Sequence, residues 1–194
     1  ITALFSEQLH LFYLLILNMN SKSIFKSHPF QTIRPIITAS LDGIAFWKNH
    51  LLAIDSRNGY LLKIDPKTHN VTIINNHHWE DFIGAKGLAV FDDTLWFISR
   101  DLVYNCQLKL DNEQIILVYP PQLFIKLPDP ANGIAVYQNT VYINCLKTGS
   151  ILVYSKDNSS LITRFYAPGV GNENMTIQDE EIWICDQLEQ TVFC

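Results

Sequence analysis

The phrase KGLAV, residues 86–90, returns as NGIAV at residues 132–136 and as DGIAF at residues 42–46. A short phrase that recurs along one chain marks an internal repeat, and the spacing of its copies decides the fold class. Anchored on the glycine, the copies sit at Gly43, Gly87 and Gly133. Eight residues beyond each glycine an apolar segment begins: LLAID from Leu51, LWFIS from Leu95 and VYINC from Val141. IWICD from Ile182 matches the same segment, and the place eight residues before it is held by Asn174. The anchors are therefore 44, 46 and 41 residues apart. The N-terminus extends the series: LLILNMNSKSIFKSHP, residues 14–29, aligns without a gap on LLAIDSRNGYLLKIDP, residues 51–66, at a shift of 37. That shift puts Ser6 opposite Gly43 as the first anchor.

Within a unit, four short segments rich in Ile, Leu, Val, Tyr, Phe and Trp alternate with turns. In the copy anchored at Gly43 they cover residues 44–46, 51–54, 60–64 and 71–75, and the breaks carry turn chemistry such as Asn58-Gly59 and Asp65-Pro66. No window shows an amphipathic period of 3.6 residues with caps. Four antiparallel strands in a unit of about 40 residues predict an all-β fold, a β-propeller of four-stranded blades. One such sheet cannot bury both of its faces alone, so blades pack around an axis. The glycine and alanine of the phrase are expected on the innermost strand, where the backbones crowd and the neighbouring Ile or Leu wedges between blades. Residues 1–194 read as one domain holding about four and a half units. A six-bladed ring would take roughly 250 residues, so a fragment is expected, with a second chain completing the ring or another ring closure as the alternatives. An edge left open at TVFC, residues 191–194, would invite association.

Composition narrows the partners. Apolar residues make up 48% of the chain and charged residues 17%, the balance of a folded domain. The net charge of −5 and the absence of a basic run argue against nucleic acid. The run LHLFYLLIL, residues 9–17, is shorter than the ~20 apolar residues that span a bilayer and is read as repeat sequence. Cys106, Cys145, Cys185 and Cys194 form no CxxC and read as free cysteines, with one or two disulfides as the alternative. Those dispersed cysteines lean toward the cytoplasm. Three Asn-x-Ser/Thr sites, at Asn70, Asn158 and Asn174, keep secretion open.

The pattern [D/N]-G-[I/L]-A-[V/F], an aromatic strand, then a polar corner and G-x-[I/L], resembles NHL-type propellers. It is also similar to the six-bladed, calcium-dependent group of senescence marker protein-30, gluconolactonases and strictosidine-synthase-like proteins. The resemblance runs through nearly the whole chain, but its motifs specify a blade rather than a chemistry. It implies that the residue before the blade glycine stands at one mouth of the channel, where Asn, Asp and Glu side chains hold calcium or another divalent metal. The matching positions are Asp42, Lys86, Asn132 and Glu173. Asp42, Asn132 and Glu173 offer oxygen, whereas Lys86 would repel a cation unless it pointed away. On this reading the metal would polarise a lactone or ester carbonyl, and Asp186 is the candidate general base. The alternative is that these side chains bond the turns they sit in, and Asp186 matches Asp55 at a repeated corner. The segment HHWED, residues 77–81, leads into the Lys86 strand, so His77, His78 and Trp79 are candidate substrate contacts on the same mouth. Two functions follow: a metal-dependent hydrolase of the lactonase type, or a non-enzymatic propeller that presents its loops to a protein or small-molecule ligand.

Overall fold

The computed structural model describes residues 40–68, 70–74 and 79–194. Fifteen strands follow in order. β1 (Leu41–Trp47), β2 (His50–Asp55), β3 (Tyr60–Ile64) and β4 (Val71–Ile73) form the first sheet. A 3-10 turn at Trp79–Phe82 leads to the second, β5 (Ala85–Phe91), β6 (Thr94–Ser99), β7 (Leu102–Asp111) and β8 (Gln114–Lys126). The third is β9 (Gly133–Tyr137), β10 (Thr140–Cys145), β11 (Ser150–Ser155) and β12 (Leu161–Tyr166). The last holds β13 (Asn172–Gln178), β14 (Glu181–Asp186) and β15 (Thr191–Phe193). Every pairing is antiparallel between sequence neighbours, so each sheet is a meander, and the sheets are the blades of a propeller. The copy anchored at Ser6 and the run at residues 9–17 lie outside the described residues.

The core sits between blades, not within one. Along β2, Leu52 and Ile54 join a cluster with Leu88, Leu95 and Phe97 of the second blade, while Leu51 and Ala53 turn to the opposite face. Along β6, Leu95 and Phe97 face the first blade, whereas Trp96 and Ile98 face the third, against Ile134, Val141 and Ile143. Period-2 alternation with both faces buried is why segments such as LLAID and LWFIS are apolar almost throughout. Phe82, from the 3-10 turn, plugs the first gap with its ring 4.7 Å from that of Phe97.

The repeated phrase places its residues with the same logic. β1, β5, β9 and β13 are the innermost strands, each against the next. Leu88 and Ile134 point back toward the preceding blade, while Ala45, Ala89 and Ala135 point forward into the next gap. The alanine is thus an interblade residue too, not one reserved for the axis. Its small size lets the next blade's larger side chain fill the gap. The glycine permits the approach itself: a Cβ on Gly43 would lie 2.7 Å from the carbonyl oxygen of Lys86, on Gly87 2.8 Å from that of Asn132, and on Gly133 2.7 Å from that of Glu173.

Candidate functional site

Those three contacts also locate the site, because Lys86, Asn132 and Glu173 are the residues that precede each following anchor. Their backbones stand where adjacent inner strands touch. In three blades the ladder slips at this place: the register shifts between Leu41 and Gly43, between Ala85 and Leu88, and between Asn172 and Met175. A bulge takes its residue out of the pairing pattern and re-aims the side chain. Asp42, Lys86 and Glu173 sit in these slips. In the third blade Asn132 lies just before β9, and its N–H donates to the Asn144 carbonyl oxygen at 3.1 Å. All four side chains are half-buried.

The structure joins them in neighbouring pairs. The Lys86 ammonium donates to Asp42 Oδ1 at 2.8 Å. Asp42 Oδ2 accepts from the hydroxyls of Ser40, at 2.9 Å, and of Ser56. Asn132 Nδ2 donates to Glu173 Oε2 at 3.1 Å. Asn174, in the anchor place that glycine holds elsewhere, donates from Nδ2 to the Asp42 carbonyl oxygen at 3.4 Å and so ties the fourth blade to the first.

This arrangement sets the two carboxyls apart. Burial pushes the Asp42 carboxyl up, but the Lys86 ammonium and the Ser56 and Ser40 hydroxyls outweigh it and hold it below its ordinary value. Burial also pushes Glu173 up, and the Asp42 and Asp186 charges push the same way. Lys86 and the Asn132 amide only partly offset them, so Glu173 stays raised.

The oxygen donors fit a divalent ion poorly. A metal at Asp42 would face an ammonium already bound there, and unit charges about 4 Å apart near a protein surface interact by up to about 4 kcal/mol, doubled for a divalent partner. Among the described residues, no three His, Cys, Asp or Glu side chains gather closely enough to hold a metal ion.

Asp186 is 1% exposed and is built into a corner. Its Oδ2 accepts the N–H groups of Val170 and Gly171, both at 2.8 Å, and its Oδ1 that of Glu189 at 2.9 Å. Burial pushes this carboxyl up, but the backbone N–H groups prevail and keep it low. Asp55 plays the same part in the first blade, accepting from the N–H groups of Arg57 and Asn58 and from Asn58 Nδ2. The corner role that the repeat alignment left open is the one the geometry displays. His77 and His78 lie outside the described residues, and Trp79 opens the 3-10 turn before β5. Ser40, Ser56 and Asn174 join this cluster without having been read as site residues from the sequence. Only Asn174 carried a signal, as the polar residue at a glycine anchor.

Among the described residues no helix is long and apolar enough to cross a membrane. The cysteines are free, with Cys106 and Cys145 buried, and burial pushes the Cys185 thiol up to about 12.

No protein-family model matches the chain, and neither does any curated protein. Solved structures do match. A structure of the nidogen/laminin complex aligns with a TM-score of 0.61 at 12% identity, over 85% of this chain and 63% of that one. Glutaminyl cyclase from Myxococcus xanthus aligns with a TM-score of 0.53 at 13% identity, over 74% and 60%. The β-propeller domain of Cps50 (Swd1) from Myceliophteria thermophila aligns with a TM-score of 0.51 at 18% identity, over 77% and 48%. The computationally designed protein Ika4 is covered over 93% of its length, with a TM-score of 0.50 at 14% identity. The chain thus spans about half to two thirds of the natural neighbours named. At these identities the likeness establishes the propeller fold.

Proposed function

We propose that this propeller is a ligand-binding module whose site is the channel mouth at Asp42, Lys86, Asn132 and Glu173. The observation that carries the reading is the Lys86–Asp42 pair. It balances charge within the ring yet leaves the lysine side chain 43% exposed, with N–H groups available to a ligand beside an amide and a second carboxylate. Convergent polar groups on the inner strands of a rigid ring recognise a small polar molecule or a peptide segment. The test is a thermal-shift panel of amino acids, sugars, nucleotides and short peptides, run on the protein and on Lys86→Ala. A ligand of the mouth raises the melting temperature of the first and loses most of that effect on the second. A ligand that stabilises both equally places its site elsewhere and ends this assignment.

The metal-dependent lactonase reading rests on the resemblance and on one observation, that Asp42, Asn132 and Glu173 occupy equivalent places on inner strands. It requires Lys86 to leave Asp42. Calcium-stimulated hydrolysis of simple lactones, lost in Asn132→Ala, would favour it over the binding module.

A further inference from the structure

We infer that Lys86 is the resident cation of the channel mouth, a tethered ammonium that keeps a divalent metal from Asp42, Asn132 and Glu173. The inference holds whichever ligand the mouth binds, and it is incompatible with metal-dependent hydrolysis at these residues. Four equivalent positions stand at the entry to the inner strands, three of them in register slips and Asn132 just before β9. Three carry oxygen and the second carries an amine, which bonds its neighbour's carboxylate while the lysine side chain stays partly exposed. Both oxygens of Asp42 are engaged: one takes the ammonium and the other takes two hydroxyls. The two carboxylates and the ammonium together carry one negative charge, which a divalent ion would invert. A covalently attached ion also acts at a high effective concentration that a dissolved competitor must overcome.

Calcium binding is read by calorimetry, and by melting in EDTA against millimolar calcium chloride, on the protein and on Lys86→Asn, Lys86→Met and Lys86→Arg. The protein itself and Lys86→Arg show no heat of binding and no shift. Lys86→Asn binds calcium at least about tenfold more tightly than the protein, with a dissociation constant of ~1 mM or below. Lys86→Met gains a smaller shift because it restores no oxygen. Adding Asp42→Asn to Lys86→Asn abolishes the gain. Calcium binding by the unmodified protein overturns the inference, as does folded Lys86→Asn and Lys86→Met protein that gains none. Should Lys86→Asn fail to fold by circular dichroism, Lys86→Met and the unmodified protein still decide the outcome. These results are independent of the ligand panel: a silent panel with this calcium pattern would sink the binding module and leave the tethered cation standing.

Discussion

Glu173 and Asp42 stand at equivalent places in their blades and hold their protons with opposite strength. Burial raises both, but Asp42 has a bonded cation and two hydroxyls that outweigh it, whereas at Glu173 the more distant Lys86 charge and one amide do not offset burial and two neighbouring carboxylates. The consequence for stability follows by linkage. Folded Glu173 binds its proton more tightly than the unfolded chain does, so its contribution is favourable below the ordinary carboxyl range and is lost as pH rises through its raised value. Asp42 behaves in the opposite sense: its contribution is present above the ordinary range and is lost as pH falls through its lowered value. Glu173→Gln should therefore raise the melting temperature at pH ~7 and lose that gain by pH ~4, while Asp42→Asn lowers it at pH ~7 with a deficit that closes in acid. Melting both variants across this range is the check, and shifts of the same sign at neutral pH would refute the assignment. The positions of these residues were legible in the sequence, because the repeat aligns the residues before each anchor. Their pairing was not. Whether a lysine turns toward a neighbouring blade or toward solvent depends on a side-chain direction set by the slip at residues 85–88, which no residue in KGLAV encodes.

At the scale of elements, the tight hairpins are built with unusual residues. Lys48 and Asn49 have φ of 45° and 64°, Asp92 and Asp93 of 47° and 58°, Asn112 and Glu113 of 46° and 66°, and Asp179 and Glu180 of 50° and 69°. Two successive positive φ values are the turn that matches strand twist, and Asn-Gly is its preferred sequence. A left-handed conformation costs a side-chain-bearing residue roughly 1–2 kcal/mol. Glu113 follows an asparagine, and its carbonyl accepts from Lys63 Nζ at 3.2 Å, a bond any residue can supply. Glu113→Gly should thus stabilise the chain by about 1 kcal/mol, raising the melting temperature by roughly 2–4 °C. An unchanged or lower value would show that this turn carries no such strain. The missing glycines also explain what the sequence left unread. The Asn58-Gly59 and Asp65-Pro66 corners announced themselves, but the inner hairpins had to be inferred from where apolar segments stop. β1 runs Leu41–Trp47 rather than over residues 44–46, because the slip at Asp42 lets pairing resume beyond it. The long β7–β8 hairpin was hidden for a different reason: its extension is held by Leu108 and Ile115 packing in the first interblade gap, a tertiary contact.

For the molecule as a whole, one spacing is repeated around the axis, and three glycines set it. Each brings its backbone against the carbonyl of the residue that begins the next blade's phrase, so the distance that admits the packing is also the distance that brings mouth residues together. Stability in such an array is largely a sum over neighbouring interfaces. A change at one interface should therefore cost what that interface loses. Gly133 tests this best: a Cβ there would lie 2.7 Å from the Glu173 carbonyl oxygen, 3.2 Å from Asn174 Cα and 3.3 Å from Asn144 Cβ, and the two nearest atoms belong to backbone that cannot swing aside. Gly133→Ala must either push the fourth blade outward or distort β9. Overpacking of this kind costs about 1–3 kcal/mol, and urea unfolding should show a lower midpoint with the slope unchanged, equivalent to a loss of that size in unfolding free energy. The same shift moves Glu173 away from Asn132, so a mouth ligand should bind Gly133→Ala more weakly even though no contacting side chain has changed. A variant as stable as the parent would mean that the inner strands stand farther apart than these contacts require. The recurring glycine would then need an explanation other than crowding at the axis.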